Sequence, residues 1–132
     1  MNRKIGVGII GASPERGWAS DAHIPALRAL HRDFEFAALC TSRRESAEEA
    51  ARKFGVTHAF AHHAPLLERP EVDVVAITVK VPHHFELVRA AIEAGKAVYC
   101  EWPLGRDVAE AEQMAALARA KGVYAAVGLQ AR

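Results

Sequence analysis

Ile5-Gly-Val-Gly-Ile-Ile10 is a continuous apolar run that leads directly into the segment Gly11-Ala-Ser-Pro-Glu-Arg-Gly17. An apolar run closed by glycine is typical of a strand that is buried on both faces. A segment of helical period follows, within Ser20–His31. A buried strand, a glycine turn and a helix in this order predict the start of a parallel sheet covered by helices.

The rest of the chain alternates in the same way. We expect a helix from Ser46, with Ser46 as its N-cap and Glu49 in the capping-box position. A helix with Pro82 in its first turn ends at Gly95, and Asp107 caps a last helix to about residue 121. The buried stripe predicted for that last helix is Val108, Ala111, Ala115 and Ala118. Further strands are predicted at 34–40, 58–60, 72–79, 97–100 and 124–129, with one helical turn at 64–67.

Six strands alternating with helices predict an α/β fold with a doubly wound parallel sheet, of the Rossmann type. The expected strand order is 3-2-1-4-5-6, in which a ligand binds beyond the carboxyl ends of the strands, where the order reverses. No linker or repeat interrupts the pattern, so we expect residues 1–132 to form one nucleotide-binding domain.

Composition excludes several classes of protein. The 132 residues suit one compact domain, and 17 Lys and Arg against 16 Asp and Glu leave a formal charge of 17 − 16 = +1. That balance does not favour a nucleic-acid or anionic-membrane partner. No apolar run approaches the roughly 18 residues that cross a bilayer. The two cysteines, Cys40 and Cys100, form no disulfide framework, and we expect a cytoplasmic protein.

The glycine loop is the first candidate site. A dinucleotide loop needs glycine at a tight turn, a small residue where the backbone meets the diphosphate, and another small residue where helix and strand pack. Gly11 suits the first position, Ala12 or Ser13 the second, and Gly17 the third. The spacing is longer than G-x-G-x-x-G, and the alternative is an ordinary strand–helix turn. Trp18 either belongs to the core or flanks the cofactor.

The end of the second strand indicates which cofactor is bound. A carboxylate there binds the ribose hydroxyls of NAD, whereas hydroxyls with an arginine accept the 2′-phosphate of NADP. No acid occurs before Glu45 in this chain. Thr41 and Ser42 can donate hydrogen bonds, and Arg43 or Arg44 can supply a fork-shaped cation. The pattern therefore favours NADP over NAD, unless both arginines are simply solvated loop charges.

Several motifs together resemble those of the glucose–fructose oxidoreductase/inositol dehydrogenase/MocA (Gfo/Idh/MocA) family. They are the glycine loop, Glu71–Thr78, His84 with Glu86-Leu-Val, and Ala94-Gly-Lys-Ala-Val-Tyr-Cys-Glu-Trp-Pro-Leu104. The glycine loop, with His23 and Pro25 after it, is most similar to the branch that contains the galactose-regulon repressor of yeasts. The resemblance covers essentially the whole chain and only the family's N-terminal nucleotide-binding domain. From the resemblance we expect the family's substrate domain, which carries a catalytic histidine, to lie outside these residues.

The resemblance implies further site residues. Glu101 and Pro103 would shape the nicotinamide end, His84 would lie at the start of the helix after strand four, and Gln130 near the carboxamide. For His84 the alternative is a local hydrogen bond. The loop from Gly11 to Trp18 would hold the pyrophosphate. The cofactor-binding set is then Gly11, Ala12, Ser13, Gly17, Trp18, Thr41, Ser42, Arg43, Val79, Lys80, His84, Glu101, Trp102 and Gln130.

Two positions depart from the family's motifs. The usual Thr-Pro is Val79-Lys80, and the usual Glu-Lys-Pro is Glu101-Trp102-Pro103. The lysine of that motif is the residue thought to act near the nicotinamide and substrate, and Trp102 can neither transfer a proton nor hold a charge. The catalytic residues are therefore unassigned, with Lys80 and Glu101 as candidates.

We expect no metal site. Neighbouring side chains in an extended segment point to opposite faces, which would separate His62 from His63 and His83 from His84. The sequence also contains no H-E-x-x-H pattern, which would place two histidines on one face of a helix.

Three functions fit these observations. The first is the NAD(P)-binding half of an oxidoreductase, which binds and orients the cofactor but turns over nothing alone. The second is a non-catalytic NAD(P) sensor with a protein partner, and the third is an interaction domain that has lost its cofactor. Without a second domain, an open sheet edge and an apolar face predict self-association into a homo-oligomer.

Overall fold

The computed structural model describes residues 3–129. Its strands are β1 (Ile5–Ile10), β2 (Phe34–Cys40), β3 (His58–Phe60), β4 (Val74–Ile77), β5 (Ala97–Glu101) and β6 (Ala125–Gly128). A π-helical turn, Ala19–His23, runs into α1 (Ile24–Ala29), and a 3₁₀ turn, Val81–His83, runs into α4 (His84–Glu93). The other helices are α2 (Arg44–Phe54), α3 (His63–Leu67) and α5 (Val108–Lys121).

The strands form one six-stranded sheet in the order β3-β2-β1-β4-β5-β6, with every pair parallel. The predicted single α/β domain with a doubly wound sheet is therefore confirmed. The order reverses between β1 and β4, so the carboxyl ends of these strands flank the switch point. Cys40 and Cys100 are free, buried thiols on β2 and β5, which β1 and β4 separate.

The central strands β1 and β4 are buried on both faces, because successive strand residues point to opposite sides and helices cover each side. Ile9 and Leu39 pack on the face covered by α1 and α2, with Ile24 from α1. Ile10 and Ile77 pack on the other face, in a cluster that contains residues of α3, α4 and α5. This two-sided burial explains the continuous apolar run of β1.

The predicted start of α2 was wrong. The helix begins at Arg44, and Arg43 is its extended N-cap residue without a side-chain cap bond. The Ser46 hydroxyl donates instead to the Arg43 carbonyl oxygen at 2.9 Å. Ser46 is therefore inside the first turn, where its hydroxyl bonds back to the backbone.

The buried stripe predicted for α5 was right at Ala118 but wrong at Val108. Val108 is 70% exposed, and the buried residues of the helix are Glu110, Met114 and Ala118. The predicted N-cap is confirmed, because Asp107 Oδ1 accepts the Glu110 N–H at 2.8 Å. Glu110 turns inward to pair with Arg106 at 2.8 Å, which rotates the face predicted from apolar residues alone.

Other element limits differ by a few residues. The helix predicted within residues 20–31 ends at Ala29, which leaves Leu30 50% exposed, and β4 is shorter than the predicted run 72–79. Within residues 3–129 no helix combines the length and the apolar character that a membrane crossing needs.

Candidate functional site

The turn after β1 requires glycine at position 11. Gly11 has φ +101°, a conformation that L side chains rarely adopt. A Cβ at this position would lie 2.9 Å from both Thr78 Oγ1 and Val79 Cγ1. The turn therefore passes so close to the end of β4 that no side chain fits between them.

Thr78 connects β4 to this turn. Its backbone N–H donates to the Ile10 carbonyl oxygen at 3.0 Å, and its hydroxyl lies 3.1 Å from the same oxygen and 3.2 Å from that of Gly11. These bonds hold the two strands together at the switch point.

The amides at the start of the glycine loop already have partners. The N–H groups of Gly11 and Ala12 both donate to the Cys40 carbonyl oxygen, at 2.9 and 3.3 Å, and Ser13 N–H donates to the Gly11 oxygen at 3.0 Å. Ala12 is fully buried. The residues at the start of the loop, which are those predicted to contact a diphosphate, therefore donate their amides to backbone carbonyl oxygens of the protein itself.

The open amides lie further along the loop. Among the described residues no hydrogen-bond partner is present for the amides of Gly17 and Trp18, which precede the π-helical turn. The first N–H groups of a helix lack partners inside it and favour anions. Gly17 has φ +132° with open space around its Cα, and Trp18 is 39% exposed. The unpaired amides of the described loop thus lie in its second half.

A cavity of about 520 Å³ opens where β1, β2, β3 and β4 end. It brings together six of the predicted site residues: Gly11, Ser13, Thr41, Ser42, Arg43 and Val79. It does not include the other predicted residues, and Gln130 lies outside the described part of the chain. The cavity also contains side chains that sequence reasoning did not assign to it: Glu15, Glu45, Ser46, Glu49, His62, His63, His83 and Glu86.

Carboxylates outnumber cations in this cavity. Arg43 is the sole arginine or lysine among its described lining residues, against four glutamates. Burial and the neighbouring His62 lower the pKa of His63, partly opposed by the charge of Glu86. At neutral pH the cavity therefore has one exposed guanidinium at the end of β2 in acidic surroundings.

The Thr41 hydroxyl is hydrogen-bonded to groups that follow it closely in the chain. It donates to the Arg43 carbonyl oxygen at 2.8 Å and lies 2.7 Å from Ser46 Oγ. Ser42 and Arg43 are exposed. The hydroxyl and the guanidinium free to meet a ligand here are therefore those of Ser42 and Arg43.

The predicted separation of His62 from His63 was wrong. Their rings stack, with centroids 4.4 Å apart and planes at 27°. The segment is not extended, because His63 begins α3 and His62 Nδ1 accepts the Ala64 N–H at 3.2 Å as the N-cap. No group of three or more metal-ligating side chains is present among the residues that the structure describes.

His84 lies in the core rather than in the cavity. Its ring is 1% exposed, with Nε2 at 2.8 Å from the Val79 carbonyl oxygen and Nδ1 at 2.9 Å from that of Pro103. It connects the segments that follow β4 and β5. Lys80 and Trp102, on those two segments, are exposed, and Trp102 is 61% accessible.

Glu101, the last residue of β5, is 6% exposed. Its Oε1 contacts His23 Nε2, from the π-helical turn after the glycine loop. Burial and then the charge of Glu101 raise the pKa of Cys100 to about 12. The sequence singles out His23 only through its place in the family's motif. The two partners are 78 positions apart in the sequence, and nothing in the residues around either one signals the contact.

The model of the Gfo/Idh/MocA oxidoreductase family, described as an NAD-binding Rossmann fold, matches residues 5–129. The chain belongs to this family. The resemblance drawn from the glycine loop and from the segment Ala94–Leu104 is thereby confirmed.

Relatives in the Gfo/Idh/MocA family include both enzymes and regulators. Dehydrogenase aclE of Aspergillus oryzae is 39% identical over 100% of this chain and 37% of its own. The galactose/lactose metabolism regulatory protein GAL80 of Saccharomyces cerevisiae is 28% identical over 97% of this chain and 31% of its own. The 3-ketoreductase KijD10 of Actinomadura kijaniata, solved with NADP, has a TM-score of 0.82 and is 33% identical over 92% of this chain and 37% of its own. The chain thus spans about a third of the length of these relatives.

Proposed function

We propose that this chain binds NAD(P), with the adenosine half of the dinucleotide in the cavity at the switch point. The diphosphate would lie against the open amides that precede the π-helical turn, and the nicotinamide beyond the ends of β4 and β5. The observation that carries the proposal is the 520 Å³ cavity where the strand order reverses, in a member of an NAD-binding family.

We further propose that NADP is preferred over NAD. Support comes from Ser42 and Arg43, which are exposed at the end of β2 and line the cavity. Glu45 and Glu49 line the same cavity and would repel a 2′-phosphate. The expected preference is therefore modest, about tenfold or less, because one charge-assisted bond is partly offset by repulsion.

The role of the domain is to bind and orient the cofactor of an oxidoreductase. Hydride transfer is supplied by the nicotinamide itself, and protein groups hold it and exclude competing reactions. Trp102 occupies the position of the motif's lysine and cannot move a proton, so we propose that the 132 residues alone are not catalytically competent. Glu101 is buried and bonded, and Lys80 is exposed at the end of the β4 segment. These two remain the candidates for contact with reacting groups.

A sensing role is the second candidate. The similarity to GAL80, which is named as a regulatory protein, and the exposed Trp102 in place of lysine favour a domain whose partner surface responds to nucleotide. In that case cofactor binding persists and redox turnover is absent. A protein partner would then contact the exposed residues near the nicotinamide end.

Titration of the chain with NADPH and with NADH, followed by nucleotide fluorescence and by calorimetry, tests the proposal. Saturable binding of either is the expected result, with NADPH the tighter ligand. No saturable binding of either ligand at millimolar concentration would reject both cofactor functions and leave an interaction domain. Redox assays of a longer chain that contains this domain would separate an enzyme from a sensor.

We also propose a cytoplasmic location, with which the two free thiols are consistent. A further proposal is that the chain self-associates. The support for self-association is β6, a sheet-edge strand, flanked by Tyr124 and Leu129, which are 85% and 73% exposed. Light scattering at high concentration checks it, and a monomer would contradict it.

A further inference from the structure

A histidine–glutamate contact joins the two halves of the chain at the carboxyl edge of the sheet. His23 Nε2 contacts Glu101 Oε1, and the two side chains are 17% and 8% exposed. The His23 ring also packs edge-on against Tyr99, with centroids 5.4 Å apart. The contact therefore fixes the turn after the glycine loop to the end of β5.

The Glu101 carboxylate depends on this single partner. In residues 3–129 its one ion-pair or side-chain hydrogen-bond partner is His23, and no lysine or arginine reaches it. A buried carboxylate is costly unless it is paired or hydrogen-bonded. Removing the imidazole would leave the Glu101 carboxylate without a partner, and its rotation toward water would alter the surface at the end of β5.

We propose that His23 is a positioning residue for the nicotinamide end, which it influences by holding the Glu101 carboxylate in place. This inference rests on the proposed dinucleotide site, because a dinucleotide that crosses the switch point from β2 must extend beyond β4 and β5. The same short turn that follows the diphosphate loop would then also hold a group beside the nicotinamide. Trp102, the next residue, has no charged group to take over this role.

Two ligands that differ only by the nicotinamide separate this role from general stability. The affinities of NADPH and of 2′-phospho-ADP-ribose, which lacks the nicotinamide, are measured for the wild type, His23→Ala, His23→Gln and Glu101→Gln. We expect His23→Ala and Glu101→Gln to lower the affinity for NADPH by about tenfold and to leave the affinity for 2′-phospho-ADP-ribose within about twofold of the wild-type value. His23→Gln retains an amide donor and should recover most of the loss.

The chain supplies a matched control. His58 lies on the amino edge of the sheet, where its Nε2 is 4.0 Å from Glu71 and 3.2 Å from the Arg69 guanidinium. His58→Ala removes a histidine of the same chemistry far from the proposed site and should change neither affinity.

The outcomes distinguish this inference from the function on which it rests. If the wild type binds neither ligand, the dinucleotide proposal itself fails. If the wild type binds both ligands but His23→Ala and Glu101→Gln weaken both equally, or neither, the dinucleotide proposal stands and the role of His23 is refuted. Equal wild-type affinity for the two ligands refutes it as well. If His23→Ala does not fold, Glu101→Gln and His23→Gln decide the question.

Discussion

Gly17 offers the sharpest perturbation of the glycine loop, because its substitution by alanine adds one methyl group where the structure has open space. Gly17 has φ +132° and nothing within 4 Å of an added Cβ. Gly55, which ends α2 at φ +70°, has equally open surroundings and serves as the control. A non-glycine residue costs roughly 1–2 kcal/mol in the left-handed conformation of Gly55, and at least as much at the φ of Gly17.

Gly55→Ala should therefore lose roughly 1–2 kcal/mol of unfolding free energy and Gly17→Ala at least as much, which lowers both midpoints of thermal unfolding by about 3 °C or more. Only Gly17→Ala should lose nucleotide affinity, by about tenfold or more, because its methyl group stands where a diphosphate would approach the open amides. Calorimetric titration with NADPH below both midpoints measures this difference. Equal NADPH affinity in Gly17→Ala and Gly55→Ala would refute the placement of the diphosphate.

Arg43→Ala should weaken the binding of NADPH by about tenfold and leave the affinity for NADH almost unchanged. In the wild type the Arg44 guanidinium lies outside the cavity and pairs with Glu48 at 3.1 Å, so Arg44→Ala should change neither affinity. Burial raises the pKa of Cys40 to about 11 and is the main cause of the raised pKa of Cys100. Both thiols should therefore resist Ellman's reagent in the native protein and react after denaturation, and fast labelling of the native protein would contradict this. The Asp73 carboxylate accepts a β1 backbone N–H at 2.7 Å, and its pKa is lowered chiefly by a hydrogen bond from Arg3 and also by that N–H. Asp73→Ala should therefore lower the free energy of unfolding by about 1–2 kcal/mol near pH 7. The difference between variant and wild type should shrink as the pH falls below about 4, and a difference that does not depend on pH would refute the role of the charge.

The sheet could be predicted from the sequence because its signals are local and strong. The limits predicted for β2 and β3 are those found, and the glycine after β1 has the positive φ that its position requires. Parallel strands with helical crossovers leave few topologies, which is why the strand order was also predictable. Element ends were less predictable: Ser46 has the chemistry of an N-cap, but its hydroxyl bonds to Arg43 inside the helix.

Part of the candidate site follows from the same local signals. Residues directly after β1 and β2 were predicted, and they line the cavity. His62 follows β3 and could have been found by extending this rule to the next strand. The contact of His23 with Glu101 could not, because it depends on how a turn packs across the finished sheet. The acidic character of the cavity also emerges only in three dimensions, since Glu45, Glu49 and Glu86 come from separate turns of α2 and α4.

Crystals of the chain soaked with NADP⁺ would give the clearest test of the proposed dinucleotide site. We expect diphosphate oxygens within hydrogen-bonding distance of the amides of Gly17 and Trp18, and the adenosine ribose in the cavity beside Arg43. A dinucleotide bound elsewhere, or a loop whose amides are all turned into the fold while the crystal is saturated with ligand, would contradict it.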